Sequence, residues 1–322
     1  MSTDAPSTPP LGGRAPSLQA ASAEPAGDEL QELRLSFSKV DAYQQCPLKY
    51  KYQAVDKLPT PPTPHLSWGS SLHAALEWFW DRKLPEPPSA DELAAALYDR
   101  WDDTGFADMS RQDKIGWYRH AQDVLRRHQA QHAPSYRPAA AVEQWFDVDL
   151  GDRVRVRGFI DGVMPTGDGG FGIVDWKTNR RAKTREQVET SLQLALYALA
   201  ARDLWGRDPD WVALEFVVPG IRVEVPIERI DVDAAVAEVH RVAAAIRAGR
   251  FSPTPNRLCG WCDFRDICPA FEGDDGATDV PGTALVELQR LRRRQERDAQ
   301  RIAELEQIVR DRLGEQALVE IG

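Results

Sequence analysis

Two stretches, Gly158-Phe159-Ile160-Asp161-Gly162 and Ile173-Val174-Asp175-Trp176-Lys177-Thr178, decide how the rest of the chain is read. Each is a β-type apolar run that ends in charge. Thr166-Gly167-Asp168-Gly169-Gly170 between them is turn chemistry, so the two runs are expected to be neighbouring strands. Side chains alternate along a strand, which puts Asp175 and Lys177 on one face, with Asp161 at the end of the strand before. Hard carboxylate oxygens in that grouping suit Mg2+ or Mn2+. Such an ion activates water and stabilises a leaving oxygen, and Lys177 would add positive charge where negative charge develops. The bland alternative is a salt bridge on a strand. Against it stands the apolar Ile173-Val174 run, because buried strands seldom present two charges without purpose.

Outward from this pair, period-two patterning predicts strands over Val142 to Leu150, Val154 to Met164 and Phe171 to Trp176, then Trp211 to Val218 and Ile221 to Ile227. Helices are expected over Ser70 to Trp80, within 90–132, over Glu186 to Leu204 and over 231–249. Ser38 followed by Asp41 reads as an earlier helix start, interrupted at Pro47, and the Pro-rich stretch from Leu58 to Pro64 reads as a loop. Gln193 and Tyr197, four residues apart, share a helix face with the alternatives of core polar groups or site residues, and His73 follows Trp68-Gly69-Ser70-Ser71-Leu72. The order of elements gives an α/β core behind a helical N-terminal region.

With 322 residues the chain is long enough to bury a sizeable core. No run of about 18 apolar residues exists, which excludes a transmembrane helix and a membrane partner. The start of the chain lacks the pattern of a secretory signal, so a cytoplasmic protein is expected. A net charge of −10 argues against binding DNA by bulk charge and requires any nucleic-acid contact to be local. Residues 1–33 are rich in Ala, Pro, Ser and Gly and read as a disordered tail. Residues 34–272 form the expected domain, with its core at about 140–250, and 273–322 a linker and C-terminal helix. The charged helix over 283–312 reads equally as a solvated helix, a short coiled coil or a docking helix for a helicase or recombination partner.

The four cysteines divide as Cys46 and, far downstream, Cys259-x2-Cys262-x5-Cys268. That spacing suits one metal centre, either tetrahedral zinc or an iron–sulfur cluster, and buried free thiols are the bland reading. Local positive charge sits at Lys49 and Lys51, interleaved with tyrosines, and at Arg180, Arg181 and Lys183 just past the charged strand. Both are candidate DNA contacts, against the ordinary reading of solvated basic runs.

His73, Gly158-x-x-Asp161, Ile173-x-Asp175-x-Lys177-Thr178 and Gln193-x3-Tyr197, in that order, resemble the PD-(D/E)XK nuclease superfamily. More narrowly they resemble its RecB-like branch, which includes the AddB nuclease domain and CRISPR-associated adaptation nucleases. The resemblance runs from about Leu35 to Pro269. It implies a restriction-endonuclease-like mixed sheet flanked by helices and a Mg2+- or Mn2+-dependent exonuclease acting on single-stranded DNA or DNA ends. It also implies metal ligands at His73, Asp161, Asp175 and the Trp176 carbonyl, a catalytic Lys177, and positioning roles for Gln193 and Tyr197. One Cys before the core and three after it implies a [4Fe–4S] cluster on Cys46, Cys259, Cys262 and Cys268, with Zn2+ as runner-up. Asp175 stands where many relatives carry Glu. The reading of another class is a non-catalytic or partner-dependent DNA-binding subunit of a helicase–nuclease or CRISPR adaptation complex.

Overall fold

β-branched and aromatic alternation builds the centre of the molecule. β2 (Ala141–Asp149), β3 (Val154–Pro165) and β4 (Phe171–Lys177) form an antiparallel meander. β5 (Trp211–Phe216) runs parallel to β4, and β6 (Ile221–Pro226) antiparallel to β5. The three-residue β1 (Leu33–Leu35) lies parallel to the start of β3, and the sheet is therefore mixed and six-stranded. This computed structural model describes residues 32–81, 86–167 and 169–271, and beyond them positions 295, 299, 302, 303 and 307.

Helices cover both faces of the sheet. α1 (Phe37–Gln45), α7 (Leu192–Trp205) and α8 (Val232–Arg247) pack on the face that carries Ile173, Leu214 and Phe216. α3 (Pro64–Asp81), α4 (Ala90–Asp99) and α5 (Arg111–His132) pack on the face that carries Val174, Trp176 and Ala213. The short α2 (Pro47–Tyr50) follows α1, and α6 (Arg185–Glu189) precedes α7. Consecutive residues of β4 thus feed two separate cores, as the pleat of a strand covered on both sides requires. The result is the expected restriction-endonuclease-like α/β fold.

The differences from expectation have local causes. The helix expected over Glu186 to Leu204 is two helices. Thr184 caps the first in a capping box with Gln187, and Ser191 caps the second by accepting from Leu194 N. The restart re-phases α7 and turns Gln193 and Tyr197 toward β4. Ser36, not Ser38, caps α1. α3 starts at Pro64, inside the expected loop and well ahead of Ser70, because Pro is tolerated in the first turn of a helix. Expectations for 1–31 and 273–322 lie outside the described residues, apart from Gln295, Ala299, Ile302, Ala303 and Gln307, which are helical and exposed. Among the described residues no helix is long and apolar enough to cross a membrane.

The path of β3 opens the site. β2 occupies one edge of β3, and the other edge is shared by β1 beside Val154–Val156 and β4 beside Gly162–Pro165. The stretch between carries no strand partner on that edge, and Asp161 is its last residue. Gly162 is required there: a Cβ would stand 2.8 Å from Val174 Cγ1 and 3.2 Å from the Trp176 ring.

Candidate active site

Four side chains close a ring at the end of β4. Lys177 Nζ donates to Gln193 Oε1 (2.7 Å), Gln193 Nε2 donates to Tyr197 Oη (3.0 Å), and Tyr197 Oη donates to Asp175 Oδ1 (3.1 Å). Lys177 Nζ closes the circuit 2.6 Å from Asp175 Oδ2. This last contact is an ion pair outside hydrogen-bond alignment, so the buried Oδ2 has no aligned donor. The donor-only ammonium dictates the sense of the ring: it takes the amide oxygen of Gln193, which sends the amide N–H to Tyr197 and the phenol proton to Asp175. Burial, then the Asp175 and Asp161 charges, hold the Tyr197 phenol well above its usual range and keep it a donor.

Asp161 reaches across the gap from β3, and its Oδ2 accepts from Trp176 N at 2.9 Å. From the opposite face of the sheet α3 brings His73, whose Nδ1 is 3.6 Å from the same oxygen, too long for a hydrogen bond. Burial first, then the Asp175 charge, hold the Asp161 carboxyl well above its usual range, while the Trp176 N–H pulls the other way. Burial lowers the His73 imidazole, which therefore offers a lone pair. Side chains of α3 and α7 thus converge on the end of β4 from opposite faces of the sheet, and the expected set of His73, Asp161, Asp175, Lys177, Gln193 and Tyr197 is brought together.

Two acidic residues of the same place were not foreseen. Glu143 on β2 stands opposite Asp161, at the one rung missing between the pairs Val142–Gly162 and Gln144–Ile160. Its φ of 46° lies in the left-handed region, uncommon outside glycine and costing on the order of 1–3 kcal/mol. Glu143 shares a hydrogen bond with Glu77 of α3. Burial, then the charge and hydrogen bond of Glu77, then the Asp175 charge, push Glu143 up to about 7. Burial raises Glu77 as well. Glu77 was readable, since it follows His73 by four residues on one helix face. No periodic signal marks Glu143.

The family model of the PD-(D/E)XK nuclease superfamily matches residues 34–269, which contain every residue of this site. The chain belongs to the PD-(D/E)XK nuclease superfamily. Among curated proteins it is 28% identical over 272 residues to the Gene 69 protein of Mycobacterium phage D29, covering 74% of this chain and 97% of the relative. The Gene 69 protein of Mycobacterium phage L5 is 25% identical over 288 residues, covering 74% and 96%. Among solved structures, the crystal structure of SSO0001 aligns over 75% of this chain and 88% of its own, at 18% identity and a TM-score of 0.38.

In this superfamily member the four cysteines line one cavity away from the acidic site. Cys46 comes from the junction of α1 and α2, and the other three from the turns Cys259–Trp261 and Arg265–Ile267 and their ends. Thr254 N donates to Cys46 Sγ at 3.4 Å and Asn256 N to Cys259 Sγ at 3.2 Å. Burial, then the three neighbouring thiols after a smaller opposing hydrogen bond from Ala270 N, push Cys268 up. Asn256 Nδ2 to Gln45 O (3.0 Å) and Tyr52 Oη to Ile267 O (3.2 Å) tie the late segment to the early helices.

The basic candidates separate. Lys49 lines the cysteine cavity, and Lys51 pairs with Asp56 at 2.6 Å. The tyrosines beside them are occupied by packing: Tyr50 is buried against Tyr43 and Phe251, and Tyr52 packs on Phe264. Arg180, Arg181 and Lys183 are exposed after β4, and Arg180 borders a cleft with Trp68, Trp117 and His120.

Among the described residues the one group that brings three ligand-type atoms within 4.8 Å of one another is His128, His132 and Glu215. It lies between α5 and β5, apart from the ring. Trp80 Nε1 donates to His128 Nε2 (3.1 Å), so His128 carries its proton on Nδ1, 3.1 Å from Glu215 Oε1. His132 Nε2 is 2.7 Å from that same oxygen. Burial raises the Glu215 carboxyl, but the hydrogen bonds from His128 and His132 outweigh it and hold it far below its usual range. A cation on His128 Nδ1 would drive the proton onto Nε2, against the Trp80 N–H. In this structure the trio is a hydrogen-bonded brace.

Proposed function

We propose that this chain is a metal-dependent DNA nuclease of the RecB-like type, hydrolysing phosphodiester bonds in single-stranded DNA or at DNA ends. The observation that carries the reading is the closed ring of Lys177, Gln193, Tyr197 and Asp175 beside Asp161 and His73. The set fits a hard divalent cation, because it is rich in acceptors and includes a buried carboxylate oxygen with no aligned donor. His73, Asp161, Asp175 and the Trp176 carbonyl would hold Mg2+ or Mn2+. When bound, the ion supplies Lewis acidity toward the phosphate and a more acidic bound water.

The protein's own part follows from the ring. An ammonium has three N–H donors; Lys177 gives one to Gln193 and is held beside Asp175 by the ion pair. Its remaining donors would serve a phosphate oxygen or the attacking water, stabilising the charge of the pentacovalent transition state. Gln193 and Tyr197 act as positioning residues, fixing Lys177 and Asp175 without leaving the helix that carries them. Glu77 and Glu143 hold a proton between them close to the developing charge.

The cysteine cavity supports a [4Fe–4S] cluster in a structural role. Backbone N–H groups aimed at Cys46 and Cys259 stabilise thiolate charge, as cluster ligands require.

The test is digestion of 5′- and 3′-labelled single and double strands with Mg2+ or Mn2+. The wild type should cut. Asp175→Ala and Lys177→Ala should be inactive while keeping the wild-type fold. Cleavage that survives either substitution in a clean preparation moves the chemistry elsewhere.

A further inference from the structure

α3 presents His65, Gly69, His73 and Glu77 at four-residue intervals, one stripe along the helix. The last two belong to the acidic site. Gly69 lies against Thr178, the residue after Lys177, with its absent Cβ position 3.4 Å from Thr178 Oγ1. One turn further, His65 opens into an aromatic cleft beside the end of β4. There Trp68 and His120 stack at 5.1 Å with an interplanar angle of 4°, and His65 meets Trp117 edge to face at 4.9 Å. Trp68 is buried and fixed by its Nε1 bond to Trp117 O. Trp117 and His120 are half-buried, while His65 and Arg180 are exposed. Trp117, His120 and Arg180 also border an adjoining cleft toward Met109 and Gln112. Burial, then the Arg180 and Arg127 charges, lower His120, so its ring is a neutral stacking surface. An aromatic cluster that only filled a core would be closed to solvent. This one is open and carries a guanidinium at its rim.

We propose that this cleft receives an unstacked nucleobase of the substrate, against the Trp117 and His120 rings, with Arg180 on the adjoining phosphate. The eight residues from His65 to His73 span about 12 Å of helix, which sets the base a short step along the strand from the phosphate at the acidic site. Bases offer their faces to aromatic side chains only when unpaired, so the cleft selects single-stranded DNA or a frayed end over intact duplex. The inference rests on the nuclease reading of the acidic site and adds to it the form of the substrate.

The experiment is fluorescence anisotropy of the full chain with a labelled single-stranded oligonucleotide in EDTA, where nothing is cut, with one abasic residue walked along the strand. In the wild type, one or two adjacent abasic positions should weaken binding about 5- to 150-fold, the worth of one stacked base. Trp117→Ala should bind the intact strand that much more weakly and be indifferent to the same abasic positions. Trp117→Phe should restore the wild-type pattern. If Trp117→Ala melts early, His120→Ala takes its place in the same cycle. An abasic penalty equal in wild type and variant, or an intact strand bound as tightly by the variant, overturns the proposal. A wild type that shows the base dependence yet never cuts with Mg2+ or Mn2+ would sink the hydrolytic reading and leave this one standing. A wild type that cuts with no abasic penalty would do the reverse.

Discussion

Replacing Tyr197 by Phe removes one oxygen and opens the ring at two of its four contacts. The ring volume is kept, so no cavity forms and the loss is polar. The bond from Tyr197 Oη to the buried Asp175 is a bond to a charged group, worth about 1.5–3 kcal/mol. The bond from Gln193 Nε2 is neutral and half-buried, so water replaces much of its roughly 1 kcal/mol. A net destabilisation of about 2–3 kcal/mol follows, which in a domain of this size lowers Tm by about 4–12 °C. Because the phenol is held well above its usual range, the effect should be the same from pH 6 to 9. Urea unfolding at fixed m separates this loss from a change in compactness. Cleavage in Mg2+ should fall by at least tenfold in kcat with a smaller change in KM, since Lys177 and Asp175 lose their common tether. Gln193→Glu is the companion variant: a carboxylate still accepts from Lys177 but cannot donate to Tyr197, so the ring fails at the same bond. A Tyr197→Phe protein that melts within 1 °C of wild type and cuts at the wild-type rate would show that the ring holds nothing.

Glu143 sets a pH dependence. Its folded pKa of about 7 lies above its unfolded value, so the folded state binds this proton more tightly. The contribution is complete below about 4.5 and is lost as pH rises through about 7. Urea melts of metal-free protein at pH 5, 6, 7 and 8 should show stability falling, and Glu143→Gln should flatten the slope; a variant with the wild-type slope refutes the assignment. Neutralising Arg180, Arg181 and Lys183 together should weaken single-strand binding and reduce its salt slope by up to about 2; unchanged affinity at low salt counts against any contact. Cys259→Ser purified anaerobically should lose iron and visible colour and melt well below wild type, because a crosslink joining residues this far apart is worth about 5 kcal/mol. A colourless wild type with stoichiometric zinc refutes the cluster.

The sheet was legible where physics makes sequence periodic. Ile173-Val174-Asp175-Trp176-Lys177 alternates between two covered faces, and the glycine-rich turn before it fixes its partner. β1 was not legible, because three residues carry no period and owe their conformation to pairing with β3. The break between α6 and α7 hides in an apolar run, since Ser191 signals a cap only once Leu194 N is seen to donate to it. The acidic site divides in the same way. Asp175 with Lys177, and Gln193 with Tyr197, follow from strand and helix periods. Glu143 depends on a positive φ that no residue pattern announces, and the aromatic cleft on α5 delivering Trp117 and His120 to α3.

The strain at Glu143 and the gap in the sheet have one origin. A regular β2–β3–β4 meander would bury the rung of Glu143 and Asp161 within a continuous ladder and leave Asp175 no open side. Parting β4 from β3 past Gly162 frees Asp161 to reach Trp176 N and lets side chains of α3 and α7 reach the site from opposite faces. The cost is like charge gathered in a poorly solvated place: Asp161, Asp175, Glu77 and Glu143 face one ammonium and one neutral imidazole. Raised carboxyl pKa values are the protein's answer without a cation, protons standing where positive charge is missing. A divalent ion would displace those protons, so its binding should release protons and strengthen as pH rises from 6 to 8. A structural acid cluster satisfied by its own hydrogen bonds, such as Glu215 between two histidines, has no reason to behave that way.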